Sequence, residues 1–210
     1  MRQTIFILTI TLFFFVSCKG QKQSNSTNAF VDTTKPFKKE IPKYKNGDVS
    51  IFYELAKAKQ SQLGLDSIEN GFENLQIRVW YDFALVRERK LVVIKNEGAN
   101  WSATVYYLQV DWDGKTETIL KKKIKQVKPK SGWTVFSKKL LDLQILTLPN
   151  QRDIKGYSLG TDGRTYNIEV ATKNQYRFYG YWEPQEYQNK FWQAKNMSDI
   201  LKLFETDLGV

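Results

Sequence analysis

The chain has 210 residues, a formal charge of +10, one cysteine and no histidine. That length suits one ordinary domain with appendages, large enough to need no disulfide, and the positive charge favours an anionic partner. A lone cysteine closes no internal disulfide, and the missing histidine removes the commonest metal ligand and general base; together they exclude the usual zinc sites and Ser/His or Cys/His catalysis.

In chain order, Arg2 supplies a positive start and Ile5–Val16 is an apolar run broken only by threonines. As a helix it would reach about 18 Å against roughly 30 Å of bilayer hydrocarbon, so it reads as the core of a signal peptide and not as a span. Phe15, Val16 and Ser17 lead into Cys18, and these residues resemble the lipobox of bacterial lipoproteins, with phenylalanine where that family prefers leucine. The resemblance implies that residues 1–17 are removed and that Cys18 carries the lipid that attaches the chain to a membrane. Two or more acyl chains hold stably, since each buried methylene contributes about 0.8 kcal/mol. Lys19 and Gly20 carry no acidic sorting signal, which points to the periplasmic face of an outer membrane.

Residues 18–47 are polar and lysine-rich, punctuated by Pro36 and Pro42, with too few large apolar side chains to offset the entropy of ordering. They read as a tether with a reach of about 30 Å, whose lysines suit anionic head groups. The folded domain is expected over residues 48–210. Ile51, Phe52, Leu55, Ala56 and Leu63 form an apolar helix face, with Asp48 or Ser50 as cap and Gly64 as stop. From Leu75 the pattern becomes that of strands: LQIRVWYDFALV, KLVVIKN, NWSATVYYLQVDW and, after the Asp113-Gly114 turn, KTETILKKKIKQV. Trp133, Phe136, Leu140 and Leu143 predict a second helix, limited by Pro149. RTYNIEVAT and QYRFYGYW form a hairpin around Lys173-Asn174, and Ser198–Leu208 closes the chain as a helix. The order helix, four strands, helix, about three strands, helix predicts an α+β fold, an antiparallel meander with helices on one face.

Four features carry candidate chemistry. Asp111–Lys115 (DWDGK) places carboxylates around a glycine, but an EF-hand needs its glycine at the sixth position and glutamate at the twelfth, so the stretch reads as a turn. Lys121, Lys122, Lys123 and Lys125 are candidate anion-binding residues, for lipid phosphates or acidic glycans, or the guards of an edge strand; in a secreted lipoprotein nucleic acid is not the expected anion. With a two-residue loop at Lys173-Asn174, Val170 faces Arg177, Ile168 faces Tyr179 and Tyr166 faces Tyr181. The other side then gathers Tyr176, Phe178 and Trp182 with Thr165, Asn167 and Glu169, either as core or as an exposed platform for a sugar ring or an extended peptide. Asp162, Glu169, Glu183 and Glu186 offer carboxylates for glycoside chemistry, although nothing in their spacing brings two of them together.

The expectation is a lipid-anchored periplasmic domain without cofactor, metal or catalysis, binding a protein, peptide or glycan. The alternatives are an inhibitor or immunity-type lipoprotein docking on an acidic enzyme through the lysine hairpin, and a glycan-processing enzyme.

Overall fold

The computed structural model describes residues 36–83, 86–160 and 162–210; the expected signal peptide, Cys18 and most of the expected tether lie outside them. A seven-stranded sheet organises the domain, built from β1 (Lys38–Glu40), β2 (Leu75–Phe83), β3 (Glu88–Glu97), β4 (Asn100–Trp112), β5 (Glu117–Val127), β6 (Arg164–Thr172) and β7 (Gln175–Trp182). Its order is β1-β7-β6-β2-β3-β4-β5. The expected meander is present as β2 to β5, each strand antiparallel to the next. β6 then returns to the open side of β2, so the hairpin of β6 and β7 extends the same sheet.

Three expectations are corrected. The sheet is mixed, because β1 runs parallel to β7, with Lys38 opposite Gln175 and Glu40 opposite Arg177. Two strands, not three, follow the second helix among the described residues, and the seventh comes from the chain's other end. Residues 38–47, assigned to the tether, therefore include structured chain: Arg177 Nε donates to Glu40 Oε2 at 2.5 Å, and Lys43 bridges to Val49. β1 was illegible because KKE has no strand pattern of its own; its partner supplies one.

Helices cover both faces of the sheet rather than one. α1 (Ile51–Leu63) packs Tyr53, Ala56 and Leu63 on Trp80, Leu91, Val93, Leu108 and Phe178. The opposite face carries Ile77, Val79, Val92, Ile94, Val105, Ile168 and Tyr179. It is covered by α2 (Trp133–Asp142) through Phe136 and Leu140 and by α4 (Trp192–Leu203) through Met197, Ile200 and Leu201. A short α3 (Pro184–Tyr187) precedes α4, which begins six residues before the expected Ser198 and runs into a π turn, Phe204–Leu208. With both faces covered, the central strands are buried on both sides, which explains near-continuous apolar runs such as LVVI in β3.

α1 also presents a different face from the one its apolar residues suggest. Ile51 is exposed and Phe52 and Leu55 are half-buried, whereas Tyr53, Ala56, Lys59, Gln60 and Leu63 are buried. The helix is rotated so that a lysine points inward, because the sheet beneath it carries carboxylates. It ends where expected, at Gly64 with φ 66°, a left-handed conformation that costs glycine little; the Gly64 amide donates to Ser61 O at 3.0 Å and the Leu65 amide to Gln60 O at 3.1 Å.

Truncation tests the role of β1. A chain starting at residue 48 is expected to be less stable than one starting at residue 36 by at least ~1 kcal/mol, about 2–4 °C in melting midpoint for this size. Equal midpoints would return residues 36–47 to the tether.

Candidate functional site

Between α1 and the sheet lie two chains of paired polar groups, each reaching into the interior, and a cleft opens at the end of one of them. β2 alternates, so Gln76, Arg78, Trp80 and Asp82 all face α1, and the register places them beside Ala171, Glu169, Asn167 and Thr165 of β6. In the first chain, Lys39 of β1 bonds Glu69 at 2.6 Å, Glu69 pairs with Lys57 at 3.0 Å, and Lys57 reaches Glu169 at 3.1 Å. Glu169 is fully buried and also accepts from Trp80 Nε1 at 2.7 Å and the Tyr176 hydroxyl at 2.8 Å.

In the second chain, Lys59, 0% exposed, donates to both Asp82 and Glu117, at 2.9 Å to the latter. Arg89 Nε and Nη2 both donate to Glu117 Oε1, at 2.9 and 2.5 Å, and Asn167 Nδ2 donates to Asp82 Oδ2 at 3.1 Å. Gly180 makes room for Asn167: a Cβ there would stand 2.6 Å from Asn167 Oδ1. A buried cation with two carboxylates is stable only because each charge has a partner at hydrogen-bonding distance.

The second chain forms the floor of a cleft of about 460 Å3. Phe52 and Leu55 of α1 form one rim, Val110, Asp111 and Trp112 of β4 another, and Trp182 of β7 closes the far side with Leu159, Gly160 and Gly163. Trp182 is held from several directions. Its indole lies against Gly160 and Gly163, where a Cβ would collide with it, and Nε1 donates to Asp162 O at 2.5 Å. Its carbonyl accepts from the Tyr157 hydroxyl at 2.9 Å, and its amide donates to Gln151 Oε1. Trp112, at the end of β4, is 50% exposed and lines the cleft. Arg87 pairs with Asp111 at 3.3 Å, and the Arg152 guanidinium stands 4.7 Å from the Tyr44 ring centre.

Of the sequence-predicted ligand residues, Tyr176, Phe178, Asn167 and Glu169 do share the predicted face and register, but all four are buried beneath α1. They are core and network, not an exposed platform, and only Trp182 reaches the cleft. Lys121, Lys122, Lys123 and Lys125 are exposed on β5, an edge strand separated from the aromatic hairpin by β2, β3 and β4 in the sheet. Among the proposed carboxylates, Glu169 is sealed in its network, Asp162 and Glu186 are exposed, and Glu183 accepts the Arg164 amide at 2.7 Å. Asp113 is a turn residue: it accepts from the amides of Thr116 at 2.7 Å and Lys115 at 2.8 Å, bonds that hold its carboxyl below the ordinary value. Among the described residues no group of three or more acidic or thiol side chains is placed to hold a metal ion. The cleft residues missed by sequence reading, Asp82, Arg89, Trp112 and Glu117, come from four different strands or strand ends, and only the Asp113 turn hinted at their neighbourhood.

No family model, curated protein or solved structure matches the chain.

The two networks differ in kind from the surface ion pairs, and mutation separates them. Lys59→Met leaves the buried Glu117 and the part-buried Asp82 without their shared cation and is expected to cost about 3 kcal/mol, read by denaturant unfolding. Lys138→Met, which breaks an exposed pair with Asp142, is expected to cost ~0.5 kcal/mol or less. Similar costs for both would deny the network its structural weight.

Glu69 adds a pH dependence. Burial pushes its carboxyl up, but hydrogen bonds from Lys39, Tyr53 and Lys57 outweigh this and hold it at about 2 against an ordinary 4.5. Its folded value lies below its unfolded value, so its stabilisation is complete above about pH 5 and is lost as pH falls toward 2. Glu69→Gln is expected to flatten the stability profile across that window. An unchanged slope would show that the pairing does not persist in solution.

Proposed function

We propose that the chain is a lipid-anchored, non-catalytic binding protein of the bacterial envelope. It is carried at the periplasmic face of the outer membrane by lipid on Cys18, and it takes a neutral glycan in the cleft between Trp112 and Trp182. The observation that carries this reading is the pairing of two indoles across a cleft whose charges cancel. Arg87, Arg89 and Arg152 line the cleft with Asp82, Asp111, Glu117 and Asp162, and Lys59, buried beneath it and paired with Asp82 and Glu117, balances the fourth carboxylate. A ligand with net charge would meet no net attraction there, whereas a sugar offers apolar ring faces to the indoles and hydroxyls to the fixed carboxylates and guanidinium groups. The volume lies within the ~300–1,000 Å3 typical of small-ligand sites.

Binding without turnover is supported by the state of the cleft's carboxylates. Asp82 and Glu117 share Lys59, and Glu117 also takes Arg89, an arrangement that commits both carboxylates to fixed partners and holds them as positioned acceptors for a ligand's hydroxyls. The lipid anchor rests on residues 2–18 of the sequence. No helix among the described residues is long and apolar enough to cross a membrane.

Titration calorimetry with a panel of soluble neutral and charged oligosaccharides tests the cleft. A neutral member is expected to bind, and Trp112→Ala to weaken it about tenfold or more with an unchanged melting midpoint, since Trp112 is half-exposed. Binding of charged sugars alone, or indifference to Trp112→Ala, would refute the assignment. The anchor is tested separately by metabolic labelling with an alkyne fatty acid: the wild-type chain should label and Cys18→Ser should not. Labelling that survives the substitution would remove the anchor.

A further inference from the structure

β5 is an edge strand, and its outer side is divided in two. Along Glu117–Ile119 a side chain of α1 takes the place of a neighbouring strand: Gln62 Nε2 donates to Glu117 O at 2.7 Å, and the Ile119 amide donates to Gln62 Oε1 at 2.7 Å. A bulge follows, where the register with β4 shifts between Gln109 and Val110 and Leu120 is left without an opposite residue. From Lys121 to Gln126 every residue is exposed, and no described residue outside β4 bonds the backbone.

The side chains along this open edge are sorted by face. Lys121, Lys123 and Lys125 lie opposite Gln109, Tyr107 and Val105, so the three ammonium groups stand in one row on the side of α2 and α4. Lys122, Ile124 and Gln126 lie opposite Leu108, Tyr106 and Thr104 on the side of α1, and Ile124 is 51% exposed. The row borders a shallow groove with Lys90 and Tyr107, where Glu88 is the one acidic lining residue.

From this the geometry points to β5 as a docking strand: Lys121–Gln126 accepts an extended, acidic segment of another protein as an eighth strand of the sheet. The segment carries carboxylates at alternate positions against Lys121, Lys123 and Lys125, and an apolar residue against Ile124. Main-chain bonds to the open edge supply affinity, and opposite charges across the pair supply register and choice of partner. A second copy of this chain is disfavoured in the same place, because pairing two β5 edges sets lysine rows against each other. An anionic membrane would meet the lysines but would not use the edge, since head groups cannot match a strand's alternating donors and acceptors. Gln62 fixes the limit of the site, having already taken Glu117 and Ile119.

The test uses the full chain in detergent with a fluorescent heptapeptide of alternating glutamate and valine. Three comparisons accompany it: the same peptide N-methylated at alternate residues, a lysine-valine counterpart, and vesicles containing phosphatidylglycerol. Binding is read by anisotropy, and amide hydrogen exchange locates it. The acidic peptide is expected to bind and protect amides within 121–126. N-methylation should weaken binding about tenfold or more, and the triple change Lys121→Glu, Lys123→Glu, Lys125→Glu should abolish binding and transfer it to the lysine-valine peptide. Affinity should fall with salt. Equal affinity for the N-methylated peptide, no protection within 121–126, or protection by vesicles and not by peptide would each overturn the proposal.

Discussion

The α1 side of this sheet is organised by a buried lysine and the carboxylates that meet it. Lys59 is closed in between α1 and the sheet, and its charge is tolerable only because Asp82 and Glu117 come from β2 and β5 to meet it. Lys57 and Glu169 repeat the arrangement nearer β6. Apolar contact between α1 and the sheet is modest, with Tyr53, Ala56 and Leu63 as its buried apolar residues. The ion pairs therefore set the helix's rotation about its own axis, which oil alone would set differently. A buried pair is a poor source of net stability but a strict positional constraint, because any other rotation leaves a charge stranded.

The cleft follows from that constraint. Turning Lys59 inward turns Phe52 and Leu55 toward the rim, where they line the opening half-buried. The same carboxylates that hold the helix become the cleft floor, immobilised by Lys59, Arg89 and Asn167. Trp182 is likewise locked, so one indole wall is preformed, and preformed walls reduce the entropy lost when a ligand binds. On the far side of the sheet α2 and α4 cover an apolar core that includes Phe136, Leu140, Met197, Ile200 and Leu201. Structural charge and the proposed site thus share one face, while the lysine row of β5 turns to the other.

Local patterning was legible and long-range pairing was not. The two-residue turn at Lys173-Asn174 set the β6–β7 register correctly, down to Val170 opposite Arg177, because a hairpin's register is fixed by its turn. Gly64 ended α1 as expected, and Trp133 and Phe136 marked α2, because caps and three-to-four spacing are properties of neighbouring residues. The parallel docking of Lys38–Glu40 on β7 depends on residues some 137 positions away, a separation that no local pattern encodes. The rotation of α1 escaped for a related reason. A helix with apolar residues at 51, 52, 55, 56 and 63 reads as burying all of them, and only the carboxylates at 82, 117 and 169 show why it exposes Ile51 and buries Lys59 beside Ala56 and Leu63. The candidate site was missed accordingly: its floor exists only once β2, β3, β5 and β6 are side by side. Cys18 and the lipobox resemblance remain a reading of residues outside the described part of the chain.

Native-state hydrogen exchange on Lys59→Met tests the central claim most directly. If buried ion pairs set the position of α1, the amides of Tyr53–Leu63 should lose protection while those of β3 and β4 keep theirs. Unchanged protection across α1 would contradict the account, because it would mean that apolar contact alone holds the helix in place.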